Sequence, residues 1–344
     1  GIPNFIDQGN VFHSTFYGAN SSGISVEDAN EYTTGMTTDD VGNVYTVGFT
    51  NTAQFPIYLN SNPGPTQTQF GGLKDGTILC FDKNMVRKWT TFLGGAGADT
   101  LTCITYNPND DNLYFGGTTT SPNYPCAIST SLTNAYYDNS YNTNQDAIYG
   151  VIKKDGELRL NTYIGGSGYD KAMSICVAGD VVMLTGNTQS SNITTSCISP
   201  SNGAFPTCSS AGNFVQNTNA GGQDIFLMKF ASDNSLTWST LIGSSADDKV
   251  CDIEPYPIFR SVGTYFYLSG ETQKNSNTGP FNGTPLNSTT AKDFPLKEIV
   301  GNSFFQSKAG GFIMEFDNLG NMVWGTTING TKSLHALTFS DNSI

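Results

Sequence analysis

Three aspartates, Asp99, Asp170 and Asp248, recur at matched positions, each followed five residues later by an isoleucine, Ile104, Ile175 or Ile253. Carboxylates repeated on one face could hold Ca²⁺, a hard cation that takes roughly six to eight oxygen ligands. The same recurrence is what a turn demands, because an aspartate accepts hydrogen bonds from its own backbone and fixes the chain reversal. Presence in every repeat favours the turn. "NPNDDN", residues 107 to 112, has the composition of a Ca²⁺ loop and reads as a solvated turn. Imidazole chemistry is confined to His13 and His335. His13 shares a slot with tryptophans, so it reads as a packing residue and leaves His335 for any Ser-His-Asp or Cys-His site. There is no nucleophile elbow, P-loop or H-E-x-x-H. No acidic pair stands out from the repeat at glycosidase spacing. The expectation is a protein with no catalytic residues and no cofactor other than Ca²⁺.

The formal charge of −13 is offset nowhere by a cluster of Lys or Arg. That opposes binding to nucleic acid and anionic lipid and leaves cations, neutral glycans or another protein as partners. No run approaches the ~18 apolar residues of a membrane span, and the N-terminus has no basic-then-apolar signal region. The seven cysteines form no C-x-x-C pair, which argues against a zinc ribbon or a thioredoxin-like site. Cys197 and Cys208 flank a loop rich in Pro, Ser and Asn, where a disulfide would remove entropy from the unfolded chain. Two independent thiols are the alternative. Cys103, Cys176 and Cys251 fall on or near strands and read as buried thiols.

Positioning these residues is the task of a repeat. G-x-T occurs as Gly48-Phe49-Thr50, Gly117-Thr118-Thr119, Gly186-Asn187-Thr188 and Gly270-Glu271-Thr272, each after an apolar run. An aromatic-proline pair follows each time: Phe55-Pro56, Tyr124-Pro125, Phe205-Pro206 and Phe294-Pro295. Proline cannot donate to a strand ladder, so each pair marks the end of a strand. Four strand types alternate. Type a is "GTILCF", "AIYGVI", "IFLMKF" and "GFIMEF"; type b is "STFYG", "TTFLG", "NTYIG", "STLIG" and a degenerate "GTTIN". Type c is "TCITYN", "MSICVA" and "VCDIEP", and type d carries G-x-T. Trp89, Trp238 and Trp324 share one slot just before the b strand, with Leu160 and His13 in the other copies. A shared slot means a shared, buried packing role.

Units of this length, each a four-stranded antiparallel meander, cannot bury both sheet faces alone. Sheets packed radially around an axis can, which predicts an all-β fold of β-propeller type in a single domain. The units run approximately 1–74, 75–145, 146–223, 224–310 and a partial 311–344. A stack of separate small β domains is the alternative.

The order "DGTILCF", "WTTFLGGAGAD", a buried strand, "LYFGGTTT" and "NYP" resembles the bacterial β-propeller repeat known as the SBBP repeat. The resemblance covers nearly the whole chain. It implies a large secreted or cell-surface protein, often of Bacteroidota, in which propellers accompany adhesion modules. The departures are long insertions between Thr188 and Phe205 and between Thr272 and Phe294. The expected function is a non-catalytic binding or structural module that contacts a glycan or surface protein and is not membrane-spanning. Self-association into a larger assembly is compatible with it. A polysaccharide-active enzyme and a fibre subunit are the competing classes. Strand parity puts the b–c turns, the d–a connections and both insertions on one face. Long connections over a rigid scaffold concentrate binding residues. Tyr136, Tyr137 and Tyr141 lie in one of them and could stack on sugar rings, with packing against the scaffold as their alternative role.

Overall fold

The computed structural model describes residues 17–18, 30–58, 67–142, 144–198, 203–209, 213–256, 264–274, 293–297 and 306–328. His13, His335 and most of the 273–293 insertion lie outside these residues, as does all but Tyr17 and Gly18 of the first b-type segment. Among the described residues the structure is strand and loop without helix.

The first sheet holds β1 (Glu31–Thr38), β2 (Val44–Thr50), β3 (Asp75–Phe81) and β4 (Arg87–Leu93), in that spatial order. The second is built from β5 (Asp99–Asn107), β6 (Asn112–Thr119), the two-residue β7 (Ala127–Ile128), β8 (Asp146–Lys153) and β9 (Leu158–Ile164), ordered β5-β6-β8-β9-β7. The third contains β10 (Asp170–Ala178) and β11 (Val181–Thr188). Its chain then makes a short parallel pair, β12 (Ile193–Thr194) and β13 (Phe205–Pro206), before β14 (Asp224–Phe230) and β15 (Leu236–Ile242). The fourth comprises β16 (Asp248–Tyr256), β17 (Tyr265–Thr272), β18 (Gly310–Asp317) and β19 (Met322–Ile328).

All four sheets run c-d-a-b, so the a-b-c-d repeat read along the chain is out of phase with them. The last a and b strands, β18 and β19, therefore complete the fourth sheet rather than opening a fifth. The c strands β1, β5, β10 and β16 lie against one another in succession. The a strands read as almost continuous apolar runs because both faces are covered: β8, DAIYGVIK, is buried along all but its last residue.

Each c–d pair carries a bulge at the same place, between Thr33 and Gly35, Leu101 and Cys103, Ala172 and Ser174, and Val250 and Asp252. Two of the looped-out residues staple neighbouring sheets. Thr34 Oγ1 donates to Leu101 O at 2.6 Å, and Thr102 Oγ1 donates to Ala172 O at 2.8 Å. The bulge explains the glycine of G-x-T. A Cβ on Gly48, Gly117, Gly186 or Gly270 would lie 1.8, 2.2, 2.0 or 2.1 Å from a c-strand carbonyl oxygen. The aromatic-proline pairs are plugs: Phe55, Tyr124, Phe205 and Phe294 are all buried, and their rings meet Phe92, Tyr163, Phe226 and Phe312.

The tryptophan slot is the same in every sheet. Trp89, Leu160, Trp238 and Trp324 are each third in their b strand, beside the same irregularity in the a–b ladder. Trp89, Leu160 and Trp238 are buried. Trp324 is only half-buried, against the expectation. The cause is its neighbour. Trp89 Nε1 donates to Lys154 O at 2.7 Å, and the Trp238 ring packs at Gly320, both in the a–b turn of the following sheet. No sheet among the described residues follows Trp324.

The first sheet is open in the complementary direction. Met36 pairs with Thr46 at the register where Ile104, Ile175 and Ile253 pair with Phe115, Leu184 and Leu268. Those isoleucines are 7%, 6% and 1% exposed, whereas Met36 is 70% exposed, and Tyr32 stands out on the same strand.

Candidate functional site

Antiparallel pairing sends the short a–b and c–d turns to one end of the sheets and the b–c and d–a connections to the other. At the second end the second and third sheets each have a row of three polar side chains, and the fourth keeps Asp248 and Thr272 of it, with Gly310 in the third place. In the second sheet it is Asp99, Thr119 and Asp146, and in the third Asp170, Thr188 and Asp224, at the paired starts and ends of strands c, d and a. All six are buried.

The recurring aspartates at c-strand starts serve as clamps. Asp99 Oδ2 accepts Gly95 N–H and the Ser121 hydroxyl, each at 2.7 Å, and its Oδ1 accepts the Thr119 hydroxyl. Asp170 repeats the set with Gly166 N–H at 2.9 Å, Ser190 Oγ at 2.8 Å and Thr188 Oγ1. Asp248 takes the N–H and hydroxyl of Ser244. The threonine of G-x-T is thus the hydroxyl that closes the clamp on Asp99 and Asp170. Their lone pairs face donors, an arrangement that stabilises a carboxylate without a cation, and among the described residues no group of three His, Cys, Asp or Glu comes together.

A second set of aspartates, not recognised from the repeat, stands beside the first. Asp75, Asp146 and Asp224 open the a strands and precede Asp99, Asp170 and Asp248 by an identical separation, which was the signal in the sequence. The backbone joins the two sets across each boundary between sheets. Asp99 N–H donates to Lys74 O at 2.7 Å, Asp170 N–H to Gln145 O at 2.8 Å and Asp248 N–H to Gln223 O at 2.7 Å. The residue after the intervening b strand is glycine each time. A Cβ on Gly94, Gly165 or Gly243 would come within 2.6, 2.6 or 2.2 Å of the carboxyl carbon of Asp75, Asp146 or Asp224. Burial pushes the carboxyls up: Asp75 to about 6, Asp146 to about 8 and Asp224 to about 7, each also opposed by the charge of its neighbour Asp99, Asp170 or Asp248. Burial likewise raises Asp99, and lifts Asp170 and Asp248 to about 6.

The candidate tyrosines divide. Tyr136 is 2% exposed inside the core, so it offers no face to a sugar. Tyr137 and Tyr141 are half-buried; the Tyr141 hydroxyl donates to Asn144 O and its ring lies 5.9 Å from that of Tyr163. Cys197 and Cys208 are bonded. Cys208 exchanges backbone hydrogen bonds of 3.0 and 2.8 Å with Ser239 of β15, which fastens the inserted loop of the third sheet to the sheet's outer strand. Cys103 and Cys176 are buried thiols, but Cys251, at the looped-out bulge position, is half-buried. Among the described residues no helix is long and apolar enough to cross a membrane, which says nothing about strands.

No protein-family model and no curated protein matches the chain. Among solved structures it is similar to the Pyrococcus horikoshii acylaminoacyl peptidase, with 10% identity, TM-score 0.25, and coverage of 86% of this chain and 39% of that one. It is also similar to an acylaminoacyl peptidase in complex with Z-Gly-Gly-Phe-chloromethyl ketone, with 10% identity, TM-score 0.24 and coverage of 83% and 43%. The chain spans about two fifths of the length of those structures.

Proposed function

We propose that the four sheets are blades of a β-propeller of the SBBP-repeat type, serving as a non-catalytic binding or structural module that contacts a glycan or surface protein through the end carrying the d–a connections. The asymmetry of the two ends carries this reading. One end has tight turns such as 82–86, 153–157 and 317–321, while the other carries connections spanning 51–74, 120–145, 189–223 and 273–309. The buried clamp beneath them makes that end a rigid base, and the Cys197–Cys208 bond fixes one of its loops. That bond also supports a secreted or cell-surface location, since disulfides persist in oxidising compartments. Glycan-array binding, with and without Ca²⁺, tests the ligand class. Shortening the 273–293 insertion is expected to reduce binding, and altering the a–b turns to leave it unchanged; loss confined to the turn variants would reverse the assignment of the face.

The open faces at Met36 and Trp324 are complementary in type, and one further sheet of the same repeat between them would cover both. Tyr17 supports this. It occupies the b-strand slot of Leu93 and rests on Phe55, ring centroids 5.4 Å apart, while Leu93 shares a core cluster with Tyr124 of the second sheet. Met36→Lys is therefore expected to destabilise the chain by at least ~1–3 kcal/mol, the cost of covering even an uncharged polar group that has no partner. Unchanged stability in urea would mean that the ring is open at Met36.

A further inference from the structure

The three aspartate pairs Asp75/Asp99, Asp146/Asp170 and Asp224/Asp248 share a feature that no hydrogen bond of the fold explains. One oxygen of the first member has no partner. Asp75 Oδ2 accepts Gly71 N–H at 2.8 Å and Gln67 Nε2 at 3.0 Å. Asp146 Oδ2 accepts Asn142 N–H at 3.1 Å, and Asp224 Oδ2 accepts Ala220 N–H and Gln216 Nε2, each at 2.9 Å. The Oδ1 atom of all three is buried and unpartnered. In the first pair Asp75 Oδ1 and Asp99 Oδ2 lie 2.7 and 2.8 Å from the same point, the place where a Gly94 side chain would begin. A buried acceptor without a donor costs about 1–3 kcal/mol, more if it is charged. Recurrence at three equivalent places, each within the field of a second carboxylate, points to something that fills the need.

A proton suits these pairs better than a divalent cation. Ca²⁺ requires roughly six to eight oxygens, whereas Asp99 and Asp170 already accept N–H and O–H donors on both oxygens, and Asp248 does so on Oδ2 while its Oδ1 is a further buried acceptor without a partner. A protonated carboxyl turns the orphan acceptor into a donor and removes the repulsion between like charges. We propose that each boundary between consecutive sheets holds one proton in mildly acidic solution, carried on Asp75, Asp146 and Asp224, so that the sheets are held together more tightly in acid and loosen in alkali.

The surroundings contain little to oppose this. Among the described residues Lys74 is the cation that acts on these carboxyls, through Asp99. Asp138 adds negative charge near Asp146, as Asp247 does near Asp248. Tyr124, Tyr136, Tyr141 and Tyr163 and the thiol of Cys126 face the first two pairs and are raised, hence neutral in this range. A carboxyl raised on folding contributes stability that is complete below its unfolded value near 3.8 and is lost as pH climbs through the folded values, here about 6 for Asp75, 8 for Asp146 and 7 for Asp224.

The test is urea unfolding of the full chain from about pH 5 to about pH 9, comparing the wild type with Asp75→Asn, Asp146→Asn and Asp224→Asn. An asparagine amide donates as the protonated carboxyl does and does not titrate. The wild-type midpoint is expected to fall with rising pH, and each substitution to remove part of that fall, one proton fewer taken up on folding, with the largest share lost in Asp146→Asn and the smallest in Asp75→Asn. Glu254, lifted to about 7 by burial with Asp252 beside it, adds to the same fall and is controlled with Glu254→Gln, while Asp170 and Asp248, lifted to about 6, add to it only at the acid end and equally in all the variants. Wild-type slopes in all three variants would overturn the proposal. So would Ca²⁺ restoring the alkaline midpoint in the wild type but not in the asparagine variants, which would make the pairs cation sites. Should a variant fail to fold, the wild-type infrared spectrum decides. A buried protonated-carboxyl band present at the acid end and lost at the alkaline end is expected, and its absence from the folded protein at the acid end would defeat the idea.

Discussion

Trp89→Ala and Trp238→Ala are each expected to lower the free energy of unfolding by about 3–5 kcal/mol, the usual cost of truncating a large buried aromatic. Both rings are 1% exposed. Each is held from the neighbouring sheet as well as its own: Trp89 Nε1 donates to Lys154 O at 2.7 Å, and the Trp238 ring meets Phe316 of the fourth sheet at 6.0 Å. Truncation therefore leaves a cavity at a boundary where no single sheet can relax to fill it, together with an unpaired carbonyl oxygen at Lys154 or Phe214. Urea midpoints at constant slope measure the effect. A loss below ~1 kcal/mol for both would mean that the slot is not part of the packing between sheets. Trp324→Ala separates two states of the molecule. Its cost approaches that of Trp238→Ala if a further sheet covers the fourth, and stays near that of a half-exposed ring if none does.

The repeat was legible because its motifs recur in a constant order. G-x-T, the aromatic-proline pairs and the tryptophan slot returned in the same succession in each unit although the spacing varies, which predicts equivalence of position whatever the fold. Equivalence of burial is a different quantity, since it depends on what the next sheet supplies. Trp324 and Met36 hold the right slots and lack the cover, and Tyr136, taken as a candidate for sugar stacking, is covered because Asn234 O of the third sheet accepts its N–H at 2.9 Å and draws that loop into the core. The phase of the sheets was hidden for a related reason. Strand type can be read from side-chain pattern, but whether a d strand begins or continues a sheet is decided by the ladder to the following a strand, such as Thr119 opposite Asp146. Asp75, Asp146 and Asp224 escaped notice because each stands at the head of an apolar strand. There an aspartate reads as solvated punctuation until the neighbouring sheet is known to lie on it. The Cys197–Cys208 bond was legible from loop composition and short separation alone.

Asp170→Ala is the other substitution expected to be severe, at roughly 3 kcal/mol or more. It strands three donors in the interior, Gly166 N–H, the Ser190 hydroxyl and the Thr188 hydroxyl, and each unsatisfied buried group costs about 1–3 kcal/mol with incomplete additivity. Glu31 provides the comparison, because it pairs with Thr50 in the first sheet as Asp170 pairs with Thr188 in the third, yet it is only half-buried. Glu31→Ala should cost less than ~1 kcal/mol, the range of partly exposed sites that water can resatisfy. Equal losses at the two positions would show that the row is a surface feature and the clamp unimportant. Asp170→Ala also bears on Asp146. Burial is the larger cause of the raised Asp146 carboxyl and the Asp170 charge a lesser one. Removing Asp170 should therefore narrow the pH range over which Asp146 affects stability without abolishing it, whereas Asp146→Asn should abolish it. If the two variants gave the same pH profile, repulsion between the paired carboxylates rather than burial would be what raises Asp146.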